Sequence, residues 1–227
     1  MLRAVIFDFN GIIVDDEPIH FELFQRVLRE EGIKLTEADY YDRYLGCDDR
    51  GAFTMAYRED GRALNHTELA QLIERKAVYY QKDIESKMRV FPGVRTLVSH
   101  LAPKLPLGIA SGALRNEIEI ILSSIGLFTH FRAIVSAEDV TRGKPEPEIF
   151  LTALERLNAG LSSDDPIGPA ECLVIEDSKE GIRGAHRAGM KCLAVTNSHP
   201  AKLLDEADSI VDSLEGVTQK QLEAICS

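Results

Sequence analysis

From Leu105 onward the chain alternates short, wholly apolar runs with helical stripes, and this alternation restricts its fold more than any other feature. The runs 105–110, 133–135, 172–175 and 191–195 are too brief for helices and are rich in Val, Ile, Leu and Ala. Between them, Leu114, Ile118, Ile121, Leu122 and Ile125 form one helical stripe, and 147–157 and 179–188 read as two further helices. Strands separated by helices make right-handed βαβ units, hence a parallel sheet covered by helices on both faces. The expectation is an α/β fold with a doubly wound parallel sheet.

One more buried run, 4–7, stands at the start of the chain and ends in Asp8, Asn10 and Gly11. A single strand cannot stand apart from the sheet formed so much later, so it is placed in that sheet. What separates the two is helical. Phe21, Phe24 and Leu28 give an amphipathic helix over 18–31, stopped by Gly32. Thr36 and Asp39 look like a capping box opening a second helix. A third is expected over 48–58, and Asn65 with Glu68 caps a fourth carrying Leu69, Leu72, Ile73 and Ala77 on one face. The chain therefore divides into a core, 1–15 and 90–227, and a helical cap, 16–89, inserted after the first strand. Hinges are expected at 14–18 and 85–92.

Composition narrows the function. At 227 residues and 44% apolar content there is material for a packed core. The net charge of −11 argues against a general nucleic-acid binder, whose phosphate contacts need clustered Lys and Arg. It leaves room for a small phosphorylated substrate met by a metal ion and a few local cations. No run approaches a membrane span, and Asp8 interrupts the only stretch resembling a signal-peptide core. Cys47, Cys172, Cys192 and Cys226 have no zinc or disulfide spacing, so a reducing cytoplasm is expected.

In a parallel sheet the carboxyl ends share one edge, which gathers Asp8 and Asn10, Ser111 and Gly112, Lys144, and Glu176 and Asp177. Taken singly, each has an ordinary explanation as a turn, a solvated lysine or a helix-start charge pair. Together they have a chemical logic. Asp8 suits a nucleophile on phosphorus, and Asp177 with Glu176 supplies hard oxygen ligands for Mg²⁺. Ser111 and the neighbouring N–H groups suit phosphate oxygens, and Lys144 is a point charge for the same group.

On these segments the chain resembles the haloacid dehalogenase superfamily, in the branch of β-phosphoglucomutase-like and phosphoglycolate phosphatase-like proteins with a helical cap. The matching motifs are Phe7-Asp-Phe-Asn-Gly11 with Asp15-Asp-Glu17, then Ile109-Ala-Ser-Gly112, Gly143-Lys-Pro145, and Val174-Ile-Glu-Asp-Ser-Lys-Glu-Gly-Ile182. Phe91-Pro-Gly93 fits the return from cap to core. The resemblance implies a Rossmann-like core, Asp8 as nucleophile, Ser111 and Lys144 as phosphate binders, and Asp177 and the main-chain carbonyl of Asn10 as Mg²⁺ ligands. It also implies a small phosphorylated metabolite as partner and a monomer.

Position 10 departs from the family pattern, in which an Asp there protonates the leaving oxygen and then activates water. A carboxamide has no proton to exchange near neutral pH. Three readings follow: an introduced isosteric Asp→Asn change; a substitute group such as Asp16, Glu17 or His20, or a substrate needing little protonation; or binding with very slow turnover. In the cap, Gly46 and Arg50 fall on the loop that the resemblance assigns to substrate closure, and Asp16 and His20 lie near the hinge. Leu45 stands where the phosphomutase branch has a lysine, which disfavours a mutase. The expectation is a Mg²⁺-dependent phosphatase working through an aspartyl-phosphate on Asp8, with a phosphomutase or a catalytically weak binding protein as alternatives.

Overall fold

The structure, a computed structural model, describes residues 1–44, 47, 49–160 and 165–226, with residues 81 and 83–87 described through their backbone alone. Leu45, Gly46 and the expected helix start at Asp48 lie outside the described residues. In chain order the elements are β1 (Ala4–Phe7), β2 (Val14–Asp15), α1 (Glu17–Glu30), α2 (Glu37–Asp39), α3 (Asp49–Glu59), α4 (His66–Lys87), β3 (Arg89–Val90), α5 (Val94–Leu101), β4 (Leu107–Ala110), α6 (Arg115–Ser124), β5 (Ala133–Val135), α7 (Glu148–Ala159), β6 (Cys172–Glu176), α8 (Lys179–Arg187), β7 (Lys191–Val195), β8 (Ser209–Val211) and α9 (Gln219–Ile225). They form two compact units, Met1–Asp15 with Arg89–Ser227, and Asp16–Met88.

The first unit holds a six-stranded sheet in the order β5-β4-β1-β6-β7-β8, with every pairing parallel. β1 is central because its four residues are apolar and buried, so neither face of it can tolerate water. Alternation sends Ala4 and Ile6 to one face. There they join Val174 of β6 and Ala194 of β7 beneath Phe150 and Ala153 of α7 and Ile182 of α8. Phe7 meets the edge of the Phe131 ring with centroids 5.8 Å apart. Each such buried side chain contributes about 1.5–3 kcal/mol, which makes the sheet a firm platform for whatever its carboxyl edge carries.

Four elements of this unit escape a reading of apolar runs. β2 and β3 pair antiparallel, Val14 with Val90 and Asp15 with Arg89, so the chain leaves and re-enters the unit through a two-residue ribbon. β8 consists of three half-buried residues at the sheet edge, one of them a serine. α9 buries Leu222 and announces itself only by its cap, in which the Gln221 side chain accepts from Thr218 N–H at 2.8 Å.

The second unit is helical. Pro18 stands in the first turn of α1, whose buried stripe is Ile19, Leu23, Phe24, Val27 and Leu28. Phe24 packs edge-on to Phe53 of α3 at 5.1 Å, and Leu69 and Leu72 of α4 complete the cluster. The Thr36 cap forms as expected, its hydroxyl accepting from Asp39 N–H at 3.1 Å. The helix it opens stops after three residues and widens into a π turn, Tyr40–Tyr44. The wide turn buries both Tyr40 and Tyr44, whose hydroxyls donate to Glu17 at 2.5 Å and Glu59 at 2.9 Å. Among the described residues no helix is long and apolar enough to cross a membrane.

Candidate active site

β1 delivers Asp8 to the carboxyl edge of the sheet between two neighbours. Phe7 is in register with Ile109 of β4 and Ile175 of β6, so Ser111 and Glu176 follow at almost the same height. Lys144 arrives from the β5–α7 connection. Its ammonium lies 2.7 Å from Asp8 Oδ1 and 2.7 Å from Glu176 Oε1, and 5.3 Å from the centre of the Phe150 ring. The expected gathering of Asp8, Lys144, Glu176 and Asp177 is therefore present, on side chains that are all nearly buried.

Glu176 is wholly enclosed. Its Oε1 accepts from Lys144, and its Oε2 accepts from the N–H groups of Asp177 and Ser178 and from the Ser178 hydroxyl, each at 2.8 Å. Ser178 also caps α8, accepting from Gly181 N–H at 3.0 Å. Gly181 leaves space for this carboxylate: a Cβ built there would overlap it. Gly11, with φ +77°, has the same relation to Asp177, whose carboxylate occupies the volume a side chain at 11 would need.

Charge at this edge is unbalanced. Asp8, Glu176 and Asp177 each bring a carboxylate oxygen within 4.8 Å of the others, and Lys144 is the ammonium among them. Burial would raise the Glu176 carboxyl, but Lys144 and the Ser178 donors hold it below the usual range. Burial raises Asp8, and the neighbouring Glu176 adds to that against the pull of Lys144. Asp177 is pushed up as well, first by burial and then by Glu176 and Asp8. Lys144 is raised despite its burial because two carboxylates face it. A set of hard oxygens with surplus negative charge and no His or Cys is suited to a small divalent cation.

Ser111 is buried; its hydroxyl oxygen accepts from Ala113 N–H at 3.1 Å, and Gly112 beside it is exposed. Asn10 is half-buried two residues beyond Asp8 and bridges toward Val14. A fifth strand end also contributes, which a reading limited to four ends misses. After β7, the Ser198 hydroxyl donates to Asp177 Oδ2, and Asn197 Nδ2 donates to the Gly11 carbonyl at 2.6 Å. The signal was available, since Asn197 and Ser198 follow an apolar run as Ser111 does.

Asp16, His20 and Arg50 lie in the helical unit. Arg50 is exposed in the first turn of α3, whereas Asp16 is buried. Tyr80 and His20 Nε2 both hydrogen-bond to Asp16 Oδ2 at 3.1 Å, and these bonds hold its carboxyl low against the effect of burial. His20 Nδ1 in turn accepts from Lys76 at 2.8 Å, and Lys76 donates to Asp49 at 2.6 Å. An ammonium can only donate, so His20 carries its proton on Nε2. Lys76, a buried lysine within an amphipathic helix, gave no sequence signal of its own.

The chain is similar to known proteins over most of its length. A phosphorylated carbohydrates phosphatase of Thermotoga maritima is 31% identical over 92% of this chain and 93% of its own length. A β-phosphoglucomutase of Bacillus subtilis is 31% identical over 88% and 85%. Among solved structures, a β-phosphoglucomutase from Clostridium difficile superposes with a TM-score of 0.79 over 100% of this chain and 97% of that one, at 23% identity, and so shares the fold. The model of the haloacid dehalogenase-like hydrolases matches residues 5–195, which take in Asp8, Ser111, Lys144, Glu176 and Asp177 but stop short of Asn197 and Ser198, and the chain belongs to that family.

Proposed function

We propose that this protein hydrolyses a small phosphomonoester, with Asp8 as nucleophile. A carboxylate oxygen of Asp8 forms a bond to phosphorus as the ester oxygen departs with its electron pair and takes up a proton. Water then cleaves the aspartyl-phosphate, releasing inorganic phosphate and restoring Asp8. Lys144, already held 2.7 Å from Asp8, would neutralise the phosphoryl oxygens. The Ser111 hydroxyl, whose oxygen is engaged by Ala113 N–H, can donate its proton to one of them, with Gly112 N–H beside it. The observation that carries this reading is the single ammonium shared by Asp8 and Glu176 at an edge with a third buried carboxylate.

Mg²⁺ is the cation these donors suit, and Asp8, Asp177, Glu176 and the carbonyl of Asn10 would hold it. When bound it supplies Lewis-acid neutralisation of phosphoryl charge. Asn10 favours a second reading, slow turnover of a tightly held phosphometabolite, because an amide can neither give the leaving oxygen its proton nor take one from water. Loss of such a group costs about 10²–10⁴-fold in rate. Asp16 and His20 are proposed to contribute to the substrate chemistry from the helical unit, as is Arg50.

A screen of phosphorylated metabolites on this chain and on Asn10→Asp, with Mg²⁺ and with chelator, tests the proposal. Turnover that needs Mg²⁺, is lost in Asp8→Asn and rises in Asn10→Asp is expected. If neither protein hydrolyses any phosphomonoester while ligands still raise the melting temperature, the binding reading replaces it.

A further inference from the structure

The connection after β5 carries a carboxylate unused by the chemistry above. Asp139 closes a short 3₁₀ turn, Ala137–Asp139, and its side chain is 16% exposed. Its Oδ2 accepts from Ser136 N–H at 2.8 Å, from the Ser136 hydroxyl at 2.9 Å and from Arg115 Nη2 at 2.6 Å. Its Oδ1 accepts from Arg156 Nη2 at 2.6 Å. Both guanidinium groups also donate to the Ile134 carbonyl, at 3.0 and 2.6 Å. Charge-assisted bonds of this length hold geometry more firmly than neutral ones.

The partners explain what is held. Arg115 is the first residue of α6, directly after the Ser111 loop, and its own N–H donates to Glu138, the neighbour of Asp139, at 2.8 Å. The loop is stitched to the same connection twice more, by Ser111 N–H to the Val135 carbonyl at 3.0 Å and by Ala137 N–H to the Ala113 carbonyl at 3.1 Å. Arg156 belongs to α7, and α7 begins at Glu148, which accepts from Thr141 N–H at 2.7 Å and Arg142 N–H at 3.1 Å. The segment running to Lys144 therefore starts at Asp139 and is tied further along to the helix that Asp139 grips.

We propose that Asp139 is a positioning residue which locks the Ser111 loop to the Lys144 segment and so sets the spacing between the two groups that hold the phosphoryl group. The proposal rests on the assignment of Ser111 and Lys144 as phosphate-binding groups. A displacement of about 1 Å between such groups can cost on the order of 100-fold.

The test uses inorganic phosphate as probe, titrated calorimetrically with MgCl₂ present into the full chain and into Asp139→Asn, Ser111→Ala and the double variant, each checked for folding by circular dichroism. This readout is independent of turnover. Asp139→Asn is expected to weaken phosphate binding about 10- to 100-fold, and to cost little further in a Ser111→Ala background, because both act through one loop. If Asp139→Asn does not fold, Arg115→Gln takes its place with the same expectation. Unchanged phosphate affinity in the folded variant overturns the proposal, as does an effect that multiplies fully with that of Ser111→Ala. If Ser111→Ala itself binds phosphate like the parent chain, the underlying assignment fails and takes the proposal with it, a pattern distinct from the other two.

Discussion

Replacing Gly181 by Ala inverts a familiar rule. Inside a helix, Gly→Ala ordinarily stabilises by about 1 kcal/mol, and Gly181 is the third residue of α8. Here the new methyl group would fall on the Glu176 carboxylate. That carboxylate cannot swing aside cheaply, because four donors hold it and its side chain is 0% exposed. Losing one partner of a buried ion pair costs about 3–5 kcal/mol. Lys144 keeps Asp8, which argues for the lower end. With the propensity gain subtracted, Gly181→Ala should be destabilised by roughly 2–3 kcal/mol. Urea unfolding measures it with a built-in control: all six tyrosines lie in the helical unit and the chain has no Trp, so tyrosine fluorescence follows that unit while far-ultraviolet circular dichroism follows both. The loss should appear in the dichroism transition that the tyrosines do not see. In a Glu176→Ala background the obstacle is gone, and Gly181→Ala should become stabilising. A Gly181→Ala protein as stable as its parent would refute the claim that this carboxylate is locked in place.

Two further outcomes follow from ion pairs in the separate units. Asp139 is held well below the usual carboxylate range, chiefly by Arg156 and also by Ser136 and Arg115. A depressed carboxyl contributes stability above its unfolded value of about 3.9, and that contribution fades as pH falls through the folded value. The urea midpoint of the parent should therefore exceed that of Asp139→Asn by a constant margin from pH 7 to about pH 4, then by less; a margin growing with acidity would contradict the assignment. Lys76→Met removes the ammonium between His20 and Asp49 and above the Phe24 ring, 4.3 Å away. Because Asp49 is about one-third exposed, the cost should be about 1–2 kcal/mol rather than that of a fully buried pair, read in the tyrosine transition.

What was legible in the sequence follows from what each element buries. β1, β4, β6 and β7 were recoverable because a central parallel strand must be apolar on both faces, which leaves a run bounded by polar residues. β8 lies at an edge with one flank unpaired, so its Ser209 carries no penalty and its pattern disappears. β2 and β3, two residues each, are too short to show any period. The site divides along the same line. Asp8, Ser111, Glu176 and Asp177 were legible because each terminates a readable strand, and Lys144 because of the motif around it. Asp139 was not, because its role depends on two arginines that come together only when α6 and α7 stand beside β5. Lys76 was invisible for a related reason: the pattern gives the face of a helix and not the identity of the histidine that meets it.

Asn10 can be judged by charge as well as by proton transfer. An aspartate at this position would add a further negative charge two residues from Asp8, in a site where burial and neighbouring carboxylates already push Asp8 and Asp177 up. At an effective dielectric of about 20, one added charge about 8 Å from another costs roughly 2 kcal/mol. Asn10→Asp should therefore be less stable than the parent in chelator at pH 7, by about that amount. Added Mg²⁺ binds the folded form and should narrow the difference, since ligand binding to the native state stabilises it. The comparison needs only melting curves of two proteins in two buffers. If Asn10→Asp melts at or above the parent in chelator, the carboxylates at this edge do not repel one another enough to require a cation, and the charge argument for Mg²⁺ fails whatever the enzyme assays show.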